Sequence, residues 1–282
     1  MMDETTRLGN SLIQHGPFSN RVYLMKLHQA DLPHILEQVD ALCTEHGYTK
    51  IFAKVPRAYS APFLSAGYRR EAWVGRFYRG SETCDFLSRF VDPDRADPGA
   101  DGPEIRRVLD LAKAKAGPAV NPAPLPQGDE VFACTPGDAE EMSGLYRRVF
   151  ATYPFPIHDP AYLRETMASH VAYFGVRLKD GRLAALASAE MDTPAGNVEM
   201  TDFATLPQMR GRGLAQCLLG VMESEIRRRG LTLAYTIARA LSPGMNITFS
   251  RRGYKFGGTL VNNTQISGRI ESMNVWYKPI QR

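Results

Sequence analysis

The fold of this chain is decided by the stretch Leu206-Pro-Gln-Met-Arg-Gly-Arg-Gly-Leu-Ala215. It follows a segment with strand character, NVEMTDFATL, and precedes LAQCLLGVMESEIRRRG, whose apolar residues recur at helical spacing (Leu214, Leu218, Val221, Met222 and Ile226). Glycines between a strand and a helix allow a tight turn with inward N–H groups, and the helix N-terminus adds unpaired donors. The stretch therefore predicts a phosphate or pyrophosphate site, with Arg210 and Arg212 as candidate side-chain contacts.

Two common phosphate-binding loops do not match this stretch. A P-loop needs Lys and Ser or Thr after its last glycine, where Leu214 and Ala215 stand. The dinucleotide fingerprint needs a third small residue where Gln216 stands. The pattern Gln208-x-x-Gly211-x-Gly213, after a strand and a proline, instead resembles the acetyl-CoA loop of the Gcn5-related N-acetyltransferases (GNAT).

The resemblance to the GNAT superfamily covers residues 130–278 and includes Asn246 through Tyr254. It implies acetyl-CoA as co-substrate and no metal, with loop amides on the CoA pyrophosphate. It also implies that Asn246 holds the pantetheine arm, although an asparagine there is equally a helix cap. The cofactor-binding residues carried over are Thr205, Gln208, Met209, Arg210, Gly211, Arg212, Gly213, Leu214, Ala215, Asn246 and Phe249.

Two acidic residues precede the loop, Glu199 and Asp202. Their odd separation puts them on opposite faces of a regular strand, unless a bulge intervenes. An amine that attacks a thioester must lose a proton, and Glu199 lies where some GNAT enzymes carry their general base. Glu199 is therefore the predicted catalytic base and Asp202 a candidate contact for the substrate amine; an exposed acid is the alternative for each.

One position departs from the GNAT pattern. Many members use a tyrosine in the helix after the second splayed strand to protonate the leaving thiolate, and this chain has Phe249 there. Phenylalanine cannot donate a proton. The alternatives are water, Tyr235, Tyr254, or departure of the thiolate without help from the enzyme.

The chain also resembles a narrower family, the β-lysine N-acetyltransferases, over nearly its whole length. The resemblance rests on Asn262-Asn-Thr264, Ile270 to Lys278, Arg21-Val-Tyr-Leu-Met-Lys26, Gly47-Tyr-Thr-Lys50 and Gly67-Tyr68 with Glu71-Ala72. It implies acetylation of the ε-amine of β-lysine to give a compatible solute, with β-lysine supplied by a lysine 2,3-aminomutase. Candidate substrate contacts are Asp202, Tyr153, Asn262, Asn263 and Asn274; turn formation and core packing are the alternatives for these residues.

The predicted fold class is mixed α/β: a GNAT fold in the C-terminal half, preceded by a degenerate GNAT-like α/β domain. The predicted boundaries are residues 1–115, a Pro-rich linker over 116–129, and a catalytic domain over 130–282. A faint repeat supports duplication, since Phe63 precedes Gly67-Tyr68 as Phe249 precedes Gly253-Tyr254; two unrelated α/β units that share a turn are the alternative. The first half lacks a Gly-rich loop, so we expect that it does not bind CoA and that it covers the catalytic half or helps to shape the amine pocket.

Composition excludes several classes of function. The net charge of +4 is too small for nucleic-acid binding, and no apolar stretch approaches the roughly 20 residues of a membrane span. Four scattered cysteines and an N-terminus without an apolar signal segment indicate a cytoplasmic protein without a metal site. An acetyltransferase for another amine (a polyamine, an aminoglycoside or lysine) and a non-catalytic acyl-CoA sensor remain rival functions, and no oligomeric state is predicted.

Overall fold

A computed structural model describes residues 3–117 and 123–280 of the chain. In the N-terminal half its elements are β1 (Glu4–Leu8), β2 (Ser11–Gly16), β3 (Arg21–Lys26), α1 (His34–Glu45), β4 (Lys50–Pro56), α2 (Ser60–Ser65), β5 (Arg69–Tyr78), β6 (Glu82–Phe90) and α3 (Gly102–Ala114). In the C-terminal half they are β7 (Glu130–Ala133), α4 (Ala139–Val149), α5 (Pro160–Ser169), β8 (Val171–Arg177), β9 (Leu183–Asp192), β10 (Asn197–Thr205), α6 (Leu214–Arg228), β11 (Leu233–Arg239), α7 (Pro243–Arg251), β12 (Lys255–Ile266) and β13 (Arg269–Pro279). The mixed α/β class is confirmed.

The described strands form one sheet in the order β1-β2-β3-β4-β6-β5-β12-β13-β11-β10-β9-β8-β7. In the N-terminal half, β3 lies parallel to β4, and β4 and β5 flank β6 in antiparallel pairs. In the C-terminal half, β10 lies parallel to β11, and β11 and β12 flank β13 in antiparallel pairs. The two halves therefore repeat the same strand order and pairing, and they meet where β5 pairs with β12.

The repeated Phe-x-x-x-Gly-Tyr segments also share their local structure. The N–H of Tyr68 donates to the carbonyl of Phe63 at 3.1 Å, and the N–H of Tyr254 donates to the carbonyl of Phe249 at 3.1 Å. The rings of each pair pack at steep angles, with centroids 5.3 and 5.0 Å apart. The glycine before each tyrosine has a positive φ of 84° or 79°. The resemblance between the halves thus extends to a matching turn.

The junction between the halves is a close backbone contact. Ala72 of β5 pairs with Gly258 of β12, whose φ is 145°. A Cβ on Gly258 would stand 2.2 Å from the carbonyl oxygen of Glu71. Only glycine fits there, because a side chain would collide with the neighbouring strand.

A buried ion pair reinforces this junction. Lys50 Nζ lies 2.8 Å from Glu71 Oε2 and donates to the carbonyl of Val261 at 2.7 Å. The N–H of Val261 in turn donates to Glu71 Oε1 at 2.9 Å. Lys50 and Glu71 belong to the first half and Val261 to the second, so the two charges pair with each other and with the opposite strand.

The helices largely follow the predicted patterns. On α6, Leu214, Leu218, Met222 and Ile226 are buried, but Val221 is exposed because it lies at the edge of the apolar face. Helix α3 packs on α7 of the other half, and Ser250 Oγ donates to the carbonyl of Ala112 at 2.6 Å. Part of the predicted linker, residues 118–122, lies outside the described residues, so the domain boundaries stay a prediction. Within the described chain, no helix is long and apolar enough to cross a membrane.

Candidate active site

A cavity opens where β10 and β11 separate. The two parallel strands pair only as far as Glu199 and Tyr235. On the other side of β10, the register to β9 shifts between Thr201 and Ala204, and Asp202 there has a φ of 55°. Beyond this bulge the strands leave a cavity of about 650 Å³, a size typical of small-molecule sites.

The loop between β10 and α6 forms one end of the cavity. Gly211 and Gly213 have φ angles of 78° and 76°, and open space surrounds the Cβ position of each. Glycine is therefore favoured here by backbone conformation and not by crowding. Because α6 begins at Leu214, the N–H groups of its first turn have no partner within the helix. The loop has the form expected of an anion-binding nest.

Most residues predicted to bind the cofactor line the cavity: Thr205, Met209, Arg210, Gly211, Gly213, Leu214, Ala215 and Phe249. Gln208 and Arg212 are exposed and do not contribute to the wall. Arg210 is oriented along the loop, where its Nε donates to the carbonyl of Thr205 at 3.4 Å. Most of the residues predicted to bind the cofactor thus lie at one cavity, whereas the side chains of Gln208 and Arg212 face solvent.

Asn246 is buried behind the wall. Its Nδ2 donates to the carbonyls of Arg239 (3.0 Å) and Ser242 (2.8 Å). Its Oδ1 accepts hydrogen bonds from Asn274 Nδ2 (2.8 Å) and Trp276 Nε1 (2.9 Å). These four bonds use the whole capacity of the amide. The side chain therefore ties α7 to β11 and β13, and it has no donor or acceptor left for a pantetheine arm.

Phe249 does line the cavity, and its ring is fully buried. It packs edge-on against Phe203, with ring centroids 5.5 Å apart, and against Tyr254 at 5.0 Å. Tyr235 and Tyr254, the two candidate proton donors, are not among the described residues of the cavity wall. The structure thus brings no tyrosine from these two positions to the cavity surface.

Glu199 lines the cavity at the end of the paired segment. Burial raises the pKa of its carboxyl group to about 7, although the ammonium of Lys54 opposes the shift. Lys54 lines the same cavity, and its Nζ donates to the hydroxyl of Tyr235 at 3.3 Å. A carboxylate with a pKa near neutrality is suited to accept a proton at the pH of the cell.

Asp202 shares the cavity with Glu199 because the bulge turns both residues toward it. The sequence analysis placed the two carboxylates on opposite faces unless a bulge intervened, and the structure has that bulge. Tyr153 donates to Asp202 Oδ1 at 2.6 Å, and Ser188 donates to Oδ2 at 2.5 Å. Burial raises the pKa of Asp202, while these hydroxyl groups counteract the shift. Tyr153 also lines the cavity, so these two candidate substrate contacts lie in the same cavity and contact each other.

The three predicted asparagine contacts are separated. Asn263 lines the cavity. Asn262 instead donates from Nδ2 to the carbonyls of Arg95 (3.1 Å) and Asp97 (2.8 Å), outside the cavity. Asn274 is fully buried and is held between Asn246 and Thr259, whose hydroxyl donates to Asn274 Oδ1 at 2.8 Å. Asn262 and Asn274 thus have structural partners and do not reach a substrate in the cavity.

The sequence allowed the first half to help shape the amine pocket, but none of the residues by which it lines the cavity was predicted. Alternate residues of two neighbouring strands line the cavity: Arg21, Tyr23 and Met25 on β3, and Phe52 and Lys54 on β4. Glu190 of β9 completes this end. A partial signal was present in the sequence, because Arg21 and Tyr23 alternate with the apolar Val22 and Leu24 and so mark one face of β3. Among the described residues, no cluster of His, Cys, Asp and Glu has the form of a metal site.

Comparison with known proteins identifies the family to which the chain belongs. The acetyltransferase (GNAT) family matches residues 140–244, which include the loop and the start of α6. The chain is 38% identical to the β-lysine N(6)-acetyltransferase of Methanococcus maripaludis over 98% of this chain and 99% of that protein. It is 34% identical to the β-lysine N(6)-acetyltransferase of Methanosarcina mazei over 75% of this chain and 84% of that protein.

Among solved structures, a GNAT superfamily phosphinothricin acetyltransferase from Sinorhizobium meliloti in complex with AcCoA is 17% identical, with a TM-score of 0.48. The match covers 55% of this chain and 89% of that one. The identity shared with the first relative extends across both halves, including the strands that complete the cavity. The chain therefore belongs to the β-lysine N-acetyltransferases of the GNAT superfamily, and it is an N-acetyltransferase that uses acetyl-CoA.

Proposed function

We propose that the protein transfers the acetyl group of acetyl-CoA to the ε-amine of β-lysine and forms Nε-acetyl-β-lysine. One observation carries the proposal: a single cavity joins the Gly-rich loop to a region with both carboxylates and buried cations. β-Lysine has two amino groups and a carboxylate, so it needs both kinds of partner. The names of the two curated relatives support the same substrate.

In the proposed reaction, acetyl-CoA lies in the opening between β10 and β11. The amides of Met209, Arg210, Gly211, Arg212 and Gly213 bind its pyrophosphate, and the N-terminus of α6 adds its partial positive charge. The conformation of the two glycines supports this placement, since both have the positive φ that such a nest requires.

Glu199 is the proposed base. Its carboxylate takes a proton from the ε-ammonium, and the neutral amine attacks the thioester carbon; the C–N bond forms, the C–S bond breaks, and CoA leaves as the thiolate. A backbone N–H at the bulge stabilises the oxyanion, because Asp202 and Phe203 have no partner in the ladder to β9. With Phe249 in place of tyrosine, a water molecule takes the second proton that the nitrogen loses and passes a proton to the thiolate.

The product suits a cytoplasmic compatible solute. Acetylation removes one of the two positive charges of β-lysine and leaves a zwitterion with no net charge. Such a product fits accumulation without disturbing the ionic balance of the cell, and a lysine 2,3-aminomutase would supply the substrate. The four cysteines are free thiols, in keeping with a reducing compartment.

The proposal is tested by incubating the protein with acetyl-CoA and one amine at a time: β-lysine, α-lysine, spermidine or an aminoglycoside. Release of free thiol is followed, and each product is identified by mass. We expect the highest kcat/KM with β-lysine and one acetyl group per molecule. Faster turnover of another amine would replace the substrate, and acetyl-CoA binding without thiol release would indicate an acyl-CoA sensor.

A further inference from the structure

Arg21 is a buried cation on the wall of the cavity. Its side chain lines the cavity, although the residue is only 4% exposed. Among the described residues, no carboxylate lies within ion-pair distance of its guanidinium. Burial lowers the pKa of Arg21 to about 10, so the group still carries its charge at neutral pH. The ring centroids of Tyr23 and Phe52 lie 5.0 and 5.7 Å from the guanidinium carbon, but a buried charge without a countercharge is costly, which points to a ligand that supplies the missing anion.

The guanidinium has hydrogen-bond partners on Nη1, whereas its buried Nε has none. Nη1 donates to the carbonyl of Asn263 at 2.5 Å and to Thr264 Oγ1 at 3.1 Å. Nε has no hydrogen-bond partner. Nε and Nη2 together form the edge that binds a carboxylate side-on with two parallel hydrogen bonds. The contacts to β12 therefore hold the group in place and leave the edge that a carboxylate uses.

An unpaired acceptor lies beside this donor. Asn263 lines the cavity and is 1% exposed. Its Nδ2 donates to Thr264 Oγ1 at 3.3 Å, whereas its Oδ1 has no partner. Arg21 and Asn263 are linked through the Asn263 carbonyl, so one linked pair of residues on the cavity wall carries both an unpaired donor and an unpaired acceptor. This combination matches a carboxylate and an ammonium group carried on adjacent carbon atoms.

A second buried arginine shows what a purely structural role looks like in this chain. Arg95 donates from Nε to the carbonyl of Asn262 (2.9 Å), from Nη1 to that of Asn20 (2.8 Å) and from Nη2 to that of Ser19 (2.6 Å). All three nitrogens have backbone acceptors, and Arg95 does not line the cavity. Arg21 differs in both respects.

We propose that Arg21 and Asn263 form a subsite for the amino-acid head of the substrate: Arg21 binds its carboxylate, and Asn263 Oδ1 accepts a hydrogen bond from its β-ammonium. The inference rests on the proposed function and names the residues that select an amino acid over a simple polyamine. It also orients the substrate. Glu190, Glu199 and Asp202 repel a carboxylate, so the carboxylate lies toward Arg21 and the distal amine toward Glu199.

Three amines separate the contributions of the two groups. β-Lysine carries both; 6-aminohexanoate keeps the carboxylate and lacks the β-amine; 1,4-diaminopentane keeps both amines and lacks the carboxylate. We expect Arg21→Met to lower kcat/KM for β-lysine and 6-aminohexanoate by roughly 10- to 100-fold, because the variant loses one charge-assisted interaction. On 1,4-diaminopentane the variant should stay within about threefold of wild type. Asn263→Ala should affect β-lysine and spare 6-aminohexanoate.

Arg95→Met is the matched control, since it removes a buried arginine that joins the same two halves. It should lower the melting temperature and change kcat/KM on all three amines by one common factor. Arg21→Lys keeps the charge but loses the two-pronged edge, and it covers the case in which Arg21→Met does not fold. It should give a smaller loss, again confined to the carboxylates.

Two results overturn the inference, and they differ in what else they remove. If wild type prefers β-lysine but the Arg21 variants lose the same factor on all three amines, the subsite is wrong and the proposed function stands. If the wild-type protein acetylates 1,4-diaminopentane with the same kcat/KM as β-lysine, the subsite and the proposed substrate are both wrong.

Discussion

At the scale of single residues, the ionisation of Glu199 decides the chemistry. Its pKa of about 7 follows from burial, which favours the neutral acid. The proposed base acts as the carboxylate, so the active form is lost as pH falls below 7. We therefore expect kcat/KM for β-lysine to rise with pH up to about 7 and then level.

The substitution Glu199→Gln keeps the shape of this side chain and removes the proton acceptor. We expect kcat to fall by about 10²- to 10⁴-fold, while the Kd for acetyl-CoA stays unchanged in calorimetric titration. The rise of kcat/KM near pH 7 should be lost. In the variant, kcat/KM should instead rise at higher pH, toward the pKa of the substrate amine. Turnover close to wild type across the whole pH range would reject Glu199 as the base.

Lys54 is the cation that limits this pKa shift. Its ammonium favours the carboxylate form of Glu199, so its removal should raise the pKa of Glu199 further. We expect Lys54→Met to move the pH limb of kcat/KM upward by about one pH unit. The control is Lys26→Met, since Lys26 is more than half exposed and pairs with Asp192 at 2.8 Å. A limb that stays in place or moves downward in Lys54→Met would contradict this account.

At the scale of elements, the loop before α6 depends on two glycines with positive φ. Gly213 has a φ of 76° and open space around its Cβ position. Gly213→Ala should therefore act through backbone strain of about 1–2 kcal/mol and weaken acetyl-CoA binding roughly 5- to 30-fold. Gly144→Ala is the control, since it lies within α4, also with open space. Equal acetyl-CoA affinity in both variants would show that this conformation does not matter.

The elements of the C-terminal half could be predicted because local signals define them. Two glycines between a strand and an amphipathic helix were enough to place the loop and α6. The role of Asn246 could not be predicted in this way. Its four partners come from β11, from Ser242 just before α7 and from β13, and pairing among these segments is not visible in a local pattern.

At the scale of the whole molecule, the two halves share a sheet through one narrow contact. Gly258→Ala would place a Cβ 2.2 Å from the Glu71 carbonyl oxygen, and the strands must then separate. We expect a loss of about 3 kcal/mol or more in the free energy of unfolding, hence a melting temperature roughly 6–12 °C lower. Calorimetry checks this, again beside Gly144→Ala. A wild-type melting temperature in Gly258→Ala would show that the junction does not support the fold.

The arrangement of the two halves also explains which part of the site could not be predicted from the sequence. Arg21 and Lys54 are far from the loop in the chain, and residues of β3, β4 and β10 line one cavity only because both halves join in one sheet. The repeat of Phe63 and Tyr68 with Phe249 and Tyr254 indicated two similar halves. It could not show which residues of the first half line the cavity, because that depends on how the two halves meet.

The most direct test of the central claim is a competition in one reaction. Equimolar β-lysine, α-lysine and spermidine are given limiting acetyl-CoA, and the products are separated and their acetylation sites assigned by NMR. The ratio of products equals the ratio of kcat/KM values. We predict that Nε-acetyl-β-lysine dominates; a majority of acetylspermidine or acetyl-α-lysine, or an acetyl group on the β-amine, would contradict the account.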